Sequence, residues 1–124
     1  MKISNDTAIA LFGYNRPSHL TRVLIALVDY NIKKIHFFLD GPKNSKDIIV
    51  QKQILLLVKN IKINVTVHRS KKNLGIAKSI TRGLDIISKK YKKIIVLEDD
   101  CIPRKEFFRF FNKILCKKGI FNQI

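Results

Sequence analysis

Apolar and polar positions along this chain alternate between two periods. Thr7 to Tyr14 (TAIALFGY) is an almost unbroken apolar run closed by Asn15-Arg16-Pro17, the pattern of a buried strand. Ser18 is placed to cap a helix in which Leu20, Val23, Leu24, Leu27 and Val28 follow helical spacing. Lys34 to Leu39 (KIHFFL) predicts a second strand, stopped by the turn residues Asp40-Gly41-Pro42. Between Asp47 and Ile61 the apolar positions Val50, Ile54, Leu57, Val58 and Ile61 are again helical. Ile63 to His68 (INVTVH) is β-branched and alternating, so a third strand. Asn73-Leu74-Gly75 turns into a helix that runs to about Lys90, and Lys93 to Leu97 predicts a fourth strand. After Pro103, Lys105 to Lys117 carries Phe107, Phe108, Phe110 and Phe111 on one broad apolar face.

The predicted order is therefore β-α-β-α-β-α-β-α with short connections. Such alternation implies an α/β fold with a Rossmann-like parallel sheet and helices on both faces. At 124 residues, with neither repeats nor linkers, the chain reads as a single domain, 1–124. Ligands of such sheets bind beyond the carboxyl ends of the strands. The informative residues are then Asn15-Arg16-Pro17, Asp40-Gly41-Pro42, Arg69 to Asn73 and Glu98-Asp99-Asp100.

The acidic triplet stands out because the chain has only 9 Asp and Glu against 25 Lys and Arg. In extended chain, residues two apart point the same way, so Glu98 and Asp100 are expected to share a face and Asp99 to point away. Two carboxylates on one cleft raise each other's pKa unless a cation lies near them. Hard divalent cations use one or two carboxylates with phosphate oxygens and water. A metal-bridged diphosphate suits both the acids and the surrounding bases; the plainer alternative is an acidic turn ahead of a helix. Asp40 alone supports either a hydrogen bond to a base or ribose, or an Asx-type turn. Asn73-Leu74-Gly75 reads as helix capping or as a phosphate-binding helix start. Arg16, Arg69 and Lys71 could meet phosphate or water. His19, His36 and His68 lack metal-ligand spacing. Cys101 reads as a small apolar filler rather than a nucleophile. Neither G-x-G-x-x-G nor a P-loop follows the first strand, which argues against dinucleotide oxidoreductases and P-loop ATPases.

The net charge of +16 favours anionic partners, although paired lysines such as Lys33-Lys34 and Lys92-Lys93 also suit a solvated surface. The apolar runs are too short to cross a bilayer, and the first residues lack a signal-peptide core. The expected location is cytoplasmic, or peripheral at the inner face of a membrane. Cys101 and Cys116 are expected to be free thiols.

Taken in order, "ALFGYNRP", "FFLDGPK", "NLGIAKSITRG" and "VLEDDCIPRKEFFRFF" resemble the nucleotide-sugar-binding half of GT-A fold glycosyltransferases of the family 2-like group. The last segment is also similar to the Glu-Asp-Asp version of the D-x-D motif in N-acetylglucosaminyltransferase I. The resemblance spans about Thr7 to Asn112. It implies a glycosyltransferase that takes a sugar from a nucleotide-diphospho-sugar, UDP-linked in the usual case, with Mn²⁺ or Mg²⁺ as cofactor. By position, Asp100 matches the metal-coordinating acid, and Glu98 and Asp99 match positions that contact the ribose or sugar. Asp40 matches the acid that hydrogen-bonds the base. Asn15 and Arg16 fall in the loop along the nucleotide, and Asn73 and Gly75 at the start of the helix bordering the phosphates. The chain has Ile80-Thr81 where many members have Arg-Asn, so Lys78 or Arg82 would have to supply that phosphate contact. The family also has a second half, which binds the acceptor (a glycan or lipid-linked glycan). The expectation is a chain truncated relative to a full enzyme and prone to self-association. A competing expectation from charge alone is a non-catalytic basic module that binds nucleic acid or an anionic membrane surface.

Overall fold

The structure, a computed structural model, describes residues 3–115 and the side chains of residues 3–110. Cys116 and the predicted end of the last helix lie outside the described residues. The elements are β1 (Thr7–Gly13), α1 (Pro17–Asp29), β2 (Lys34–Leu39), α2 (Ser45–Asn60), β3 (Asn64–Arg69), α3 (Ile76–Ser88), β4 (Lys93–Glu98) and α4 (Lys105–Leu115). All eight predicted elements are present. The four strands form one parallel sheet in the order β3-β2-β1-β4.

The helices divide between the two faces. On one face, α1 and α2 place Leu20, Leu24, Leu27, Ile54 and Val58 against Ile9, Leu11, Ile35, Phe37 and Leu97. Phe108 of α4 is fully buried in the same cluster, with its ring edge-on to Tyr30. Each such buried aliphatic or aromatic side chain contributes about 1.5–3 kcal/mol. On the other face, α3 closes over Ala8, Ala10, Phe12, Phe38 and Ile94. A Cβ on Gly83 would lie 2.7 Å from the Phe12 ring, so the helix approaches the sheet where it has no side chain.

This arrangement follows from right-handed crossovers. Two of them step from β1 to β2 to β3 with helices on one face. The third returns across the sheet through α3, on the opposite face, and sets β4 beside β1. The order in which strands are added therefore reverses between β1 and β4, which stay parallel, and α/β sheets bind ligands at such a point.

Two helix starts differ from the expected ones. Ser18 does not cap α1: Arg16 holds that position without a side-chain hydrogen bond, and Pro17 supplies the first helical residue. At α2 the cap is Asn44, whose side chain accepts from the Asp47 amide. No helix among the described residues is long and apolar enough to cross a membrane.

Candidate functional site

The ends of β1, β2 and β4 and the start of α3 enclose a cleft of about 270 Å³. Its lining brings together Arg16, Asp40, Lys43, Asn73, Gly75, Glu98 and Asp99. Register explains the convergence. Phe12 pairs with Glu98 and Gly13 with Leu39, so the residues after all three strands emerge at one level. The backbone continues that ladder past the strands, with the Asp40 amide donating to Gly13 and the Asp99 amide to Phe12. A larger cavity of about 700 Å³ opens at the amino ends of the strands near Thr7, Lys34 and Tyr91, but no carboxylate lines it.

The acidic triplet is oriented differently from the expectation. The strand ends at Glu98 and the chain turns at once, so the two-residue alternation does not extend through Asp100. Asp99 is the acid that points inward, buried and ion-paired with Arg16 at 3.1 Å. Burial pushes its carboxyl up from the ordinary range, and the Arg16 guanidinium opposes that shift. Glu98 is exposed yet lines the cleft, and Asp100, with its side chain 43% exposed, lies 3.8 Å from the same Arg16. Cys101 is exposed rather than packed as a filler, and neighbouring Asp100 pushes its thiol up, away from nucleophilic character.

Asp40 is buried, and its carboxylate accepts four hydrogen bonds. Oδ1 takes the amides of Gly41 at 2.8 Å and Leu74 at 2.9 Å. Oδ2 takes the Gly75 amide at 3.0 Å and the Asn73 side chain at 3.3 Å. A carboxylate offers about four lone-pair positions. All are used, so in this arrangement Asp40 ties the loop before α3 to the end of β2 and has no acceptor position left for a base. Asn73 completes the tie by donating to the Gly41 carbonyl at 2.8 Å. A Cβ on Gly41 would lie 2.3 Å from the Lys72 carbonyl carbon, so only glycine lets the two segments cross there. Gly75 has φ +82°, a conformation that suits glycine, and caps α3.

A second network, not foreseen in the sequence, fixes the loop after β1. The Tyr14 hydroxyl donates to Asp47, as does the Asn15 side-chain amide at 3.1 Å. Burial, then Asp47, pushes the Tyr14 phenol up to about 12. The Tyr14 hydrogen bond and the Lys43 amide hold the Asp47 carboxyl below its ordinary range. Buried Gln51 spans the loops by donating to the carbonyls of Tyr14 and Asp40 at 2.9 and 2.8 Å. Asn15 is thus committed to α2. The spacing Asn44-x-x-Asp47 was a legible capping signal; the pairing of Tyr14 with Asp47, 33 residues apart, was not.

Ser79 also escaped the sequence reading. It sits in the first turn of α3, only 8% exposed, and lines the cleft. Lys78 and Arg82 instead line a shallow depression on the outer side of α3, away from the cleft. His36 and His68 stack on the sheet, 3.0 Å apart between ring nitrogens, outside the cleft.

Among the described residues, no three His, Cys, Asp or Glu side chains gather as a metal-ligand cluster. A metal held in part by its ligand fits the edge of the cleft: Asp100, which is not among the lining residues, is a half-exposed carboxylate whose one ion pair is long, and Glu98, which lines the cleft, stands two residues away. Comparison with protein-family models finds no matching family, and comparison with curated proteins finds no significant match.

Proposed function

We propose that the chain is the donor-binding domain of a metal-dependent glycosyltransferase of the GT-A type, taking a nucleotide-diphospho-sugar, with UDP as the nucleotide. One observation carries this reading: the cleft at the β1–β4 reversal gathers the carboxylates Glu98 and Asp99 and, in the same lining, Lys43, Ser79 and the start of α3. A diphosphate needs the second set, and the divalent ion that accompanies it needs the first.

Asp100, with Glu98 beside it, would hold Mn²⁺ or Mg²⁺. When bound, that ion neutralises charge that builds on the departing nucleoside diphosphate. Arg16 neutralises Asp99 and keeps the acidic turn against the loop after β1. The first turn of α3 carries no acidic residue, so its amides favour an anion. Lys43 adds positive charge at the mouth. Asp40 acts indirectly, by fixing Asn73, Leu74 and Gly75 where α3 begins.

Calorimetric titration of UDP tests the reading. Binding is expected with Mn²⁺ present, and is expected to fall about tenfold or more in Asp100→Ala or in chelator. Equal binding with and without metal, or in Asp100→Ala, would sink it.

A further inference from the structure

The outward face of α2 departs from what a surface helix needs. Ile54 and Val58 already turn to the core, and the opposite side would ordinarily be polar throughout. Instead Ile48, Ile49 and Leu56 are 48%, 60% and 61% exposed. They are three of the eight large apolar side chains exposed among the described residues, so the excess is concentrated on one helix. Ile49, Lys52, Leu56 and Lys59 follow at i, i+3, i+7 and i+10, which sets them in one stripe along the helix. Lys46 is also exposed. Between Lys43 and Lys62 the chain has five lysines and one acid, Asp47. That acid is buried on the inner side, where Tyr14 and Asn15 engage it. Lys46, Lys52 and Lys59 enter no ion pair among the described residues.

We infer that this face of α2 docks on an anionic lipid surface, with Ile49 and Leu56 entering the headgroup boundary and the lysines meeting the lipid charge. The inference is independent of the donor-site reading. Three occupants compete for such a face, and chemistry separates them. Nucleic acid would satisfy the lysines but leave Ile49 and Leu56 desolvated against nothing apolar. A second copy, paired symmetrically, would set lysines against lysines. An anionic bilayer offers phosphate charge and an apolar layer in the right order, and lysine stems lie along the apolar zone while their ammonium groups reach outward. Sixteen helical residues give a contact about 24 Å long.

The experiment is vesicle co-sedimentation of the full chain, comparing phosphatidylcholine alone with a phosphatidylcholine–phosphatidylglycerol mixture at physiological salt. Binding is expected to the anionic vesicles only. Lys52→Glu with Lys59→Glu is expected to weaken it by at least about 30-fold, from about 1 kcal/mol per cation lost, with repulsion of the new carboxylates adding to that. Ile49→Asp with Leu56→Asp is expected to weaken it at least tenfold, while circular dichroism shows the fold unchanged, as these side chains are exposed. The same charge reversal at Lys89 and Lys90, at the end of α3, should change it far less. Four results would overturn the inference: equal loss from the α3 reversal, no loss from the aspartate pair, tighter binding to a nucleic-acid duplex than to the vesicles, or a solution dimer that the aspartate pair dissociates without altering vesicle binding.

Discussion

Replacing Asp40 by Ala separates a structural role from a recognition role. The change removes one buried carboxylate, leaves three backbone amides (Gly41, Leu74 and Gly75) without their acceptor, and takes from the Asn73 side chain the longer of its two bonds. A hydrogen bond to a charged group contributes about 1.5–3 kcal/mol, and a buried donor left unmade costs about 1–3 kcal/mol. Water can reach the Gly75 end, because Gly75 is exposed, but Gly41 is buried. Counting Gly41 and Leu74 in full and the others at a fraction gives about 3–5 kcal/mol. A domain of this size has about 5–15 kcal/mol in total, so the variant should be folded but fragile. In urea the midpoint should fall by about 2 M, with a slope of about 2 kcal/mol per M. Hydrogen exchange should accelerate at Leu74 and Gly75 more than in the β1 amides, because the loop is released before the sheet opens. If Asp40→Ala unfolds within about 0.5 kcal/mol of the parent yet loses UDP binding, Asp40 reads the ligand directly and the clamp assignment is wrong.

Gly41→Ala should lower stability by several kcal/mol, since its Cβ would sit 2.3 Å from the Lys72 backbone, whereas Gly75→Ala, which meets nothing within 4 Å, should cost about 1–3 kcal/mol for its extended backbone at φ +82°; urea melts of the pair test the contrast. Stability should decline as pH falls below about 6.5, the ordinary histidine value. Burial holds His36 and His68 below that value, so there the unfolded chain takes up protons that the folded chain does not; His68→Phe, which retains a ring against Phe38, should flatten the slope between pH 7.5 and 5. Arg16→Ala should cost about 1–2 kcal/mol, less than a fully buried pair because Arg16 is half exposed, and the loss should shrink towards acid pH as Asp99 takes up a proton.

The elements were legible because period-two and period-3.6 patterns rarely coincide on this chain. The ligand-binding edge followed from the β-α alternation and needed no contact information. The strand order fixed which loops share the cleft, and no single residue signals it; crossover handedness only ties each step of that order to the face its helix covers. Three details escaped for a common reason. The inward turn of Asp99, the four donors on Asp40 and the Tyr14–Asp47 bond depend on loop geometry or on partners more than 30 residues away. Asp40 is the instructive case: the Asx-turn alternative read from Asp40-Gly41-Pro42 describes its bond to Gly41, while the larger share of its role arrives from the segment before α3.

The charge of the cleft narrows what it can hold. Four acids sit at or near it, and two are already balanced: Asp99 by Arg16, and Asp40 by amides and Asn73. Glu98 and Asp100 are left with free acceptor positions: the Glu98 side chain has no hydrogen bond or ion pair among the described residues, and Asp100 has its long contact to Arg16 and a hydrogen bond with the Cys101 thiol. The two acids expected to act together are thus the available pair, because Asp99 is consumed internally and not because extended chain aligns their side chains. The cleft lining also offers Lys43, Ser79 and the first turn of α3, where Asp40 already takes the Leu74 and Gly75 amides. A bare cation would meet the free acids but be repelled by Lys43; a bare phosphate would meet Lys43 and Ser79 but be repelled by the acids. A ligand that carries an anion and its own cation together satisfies both sets of groups at once, which is why we propose a metal-bound diphosphate for this cleft rather than either component alone.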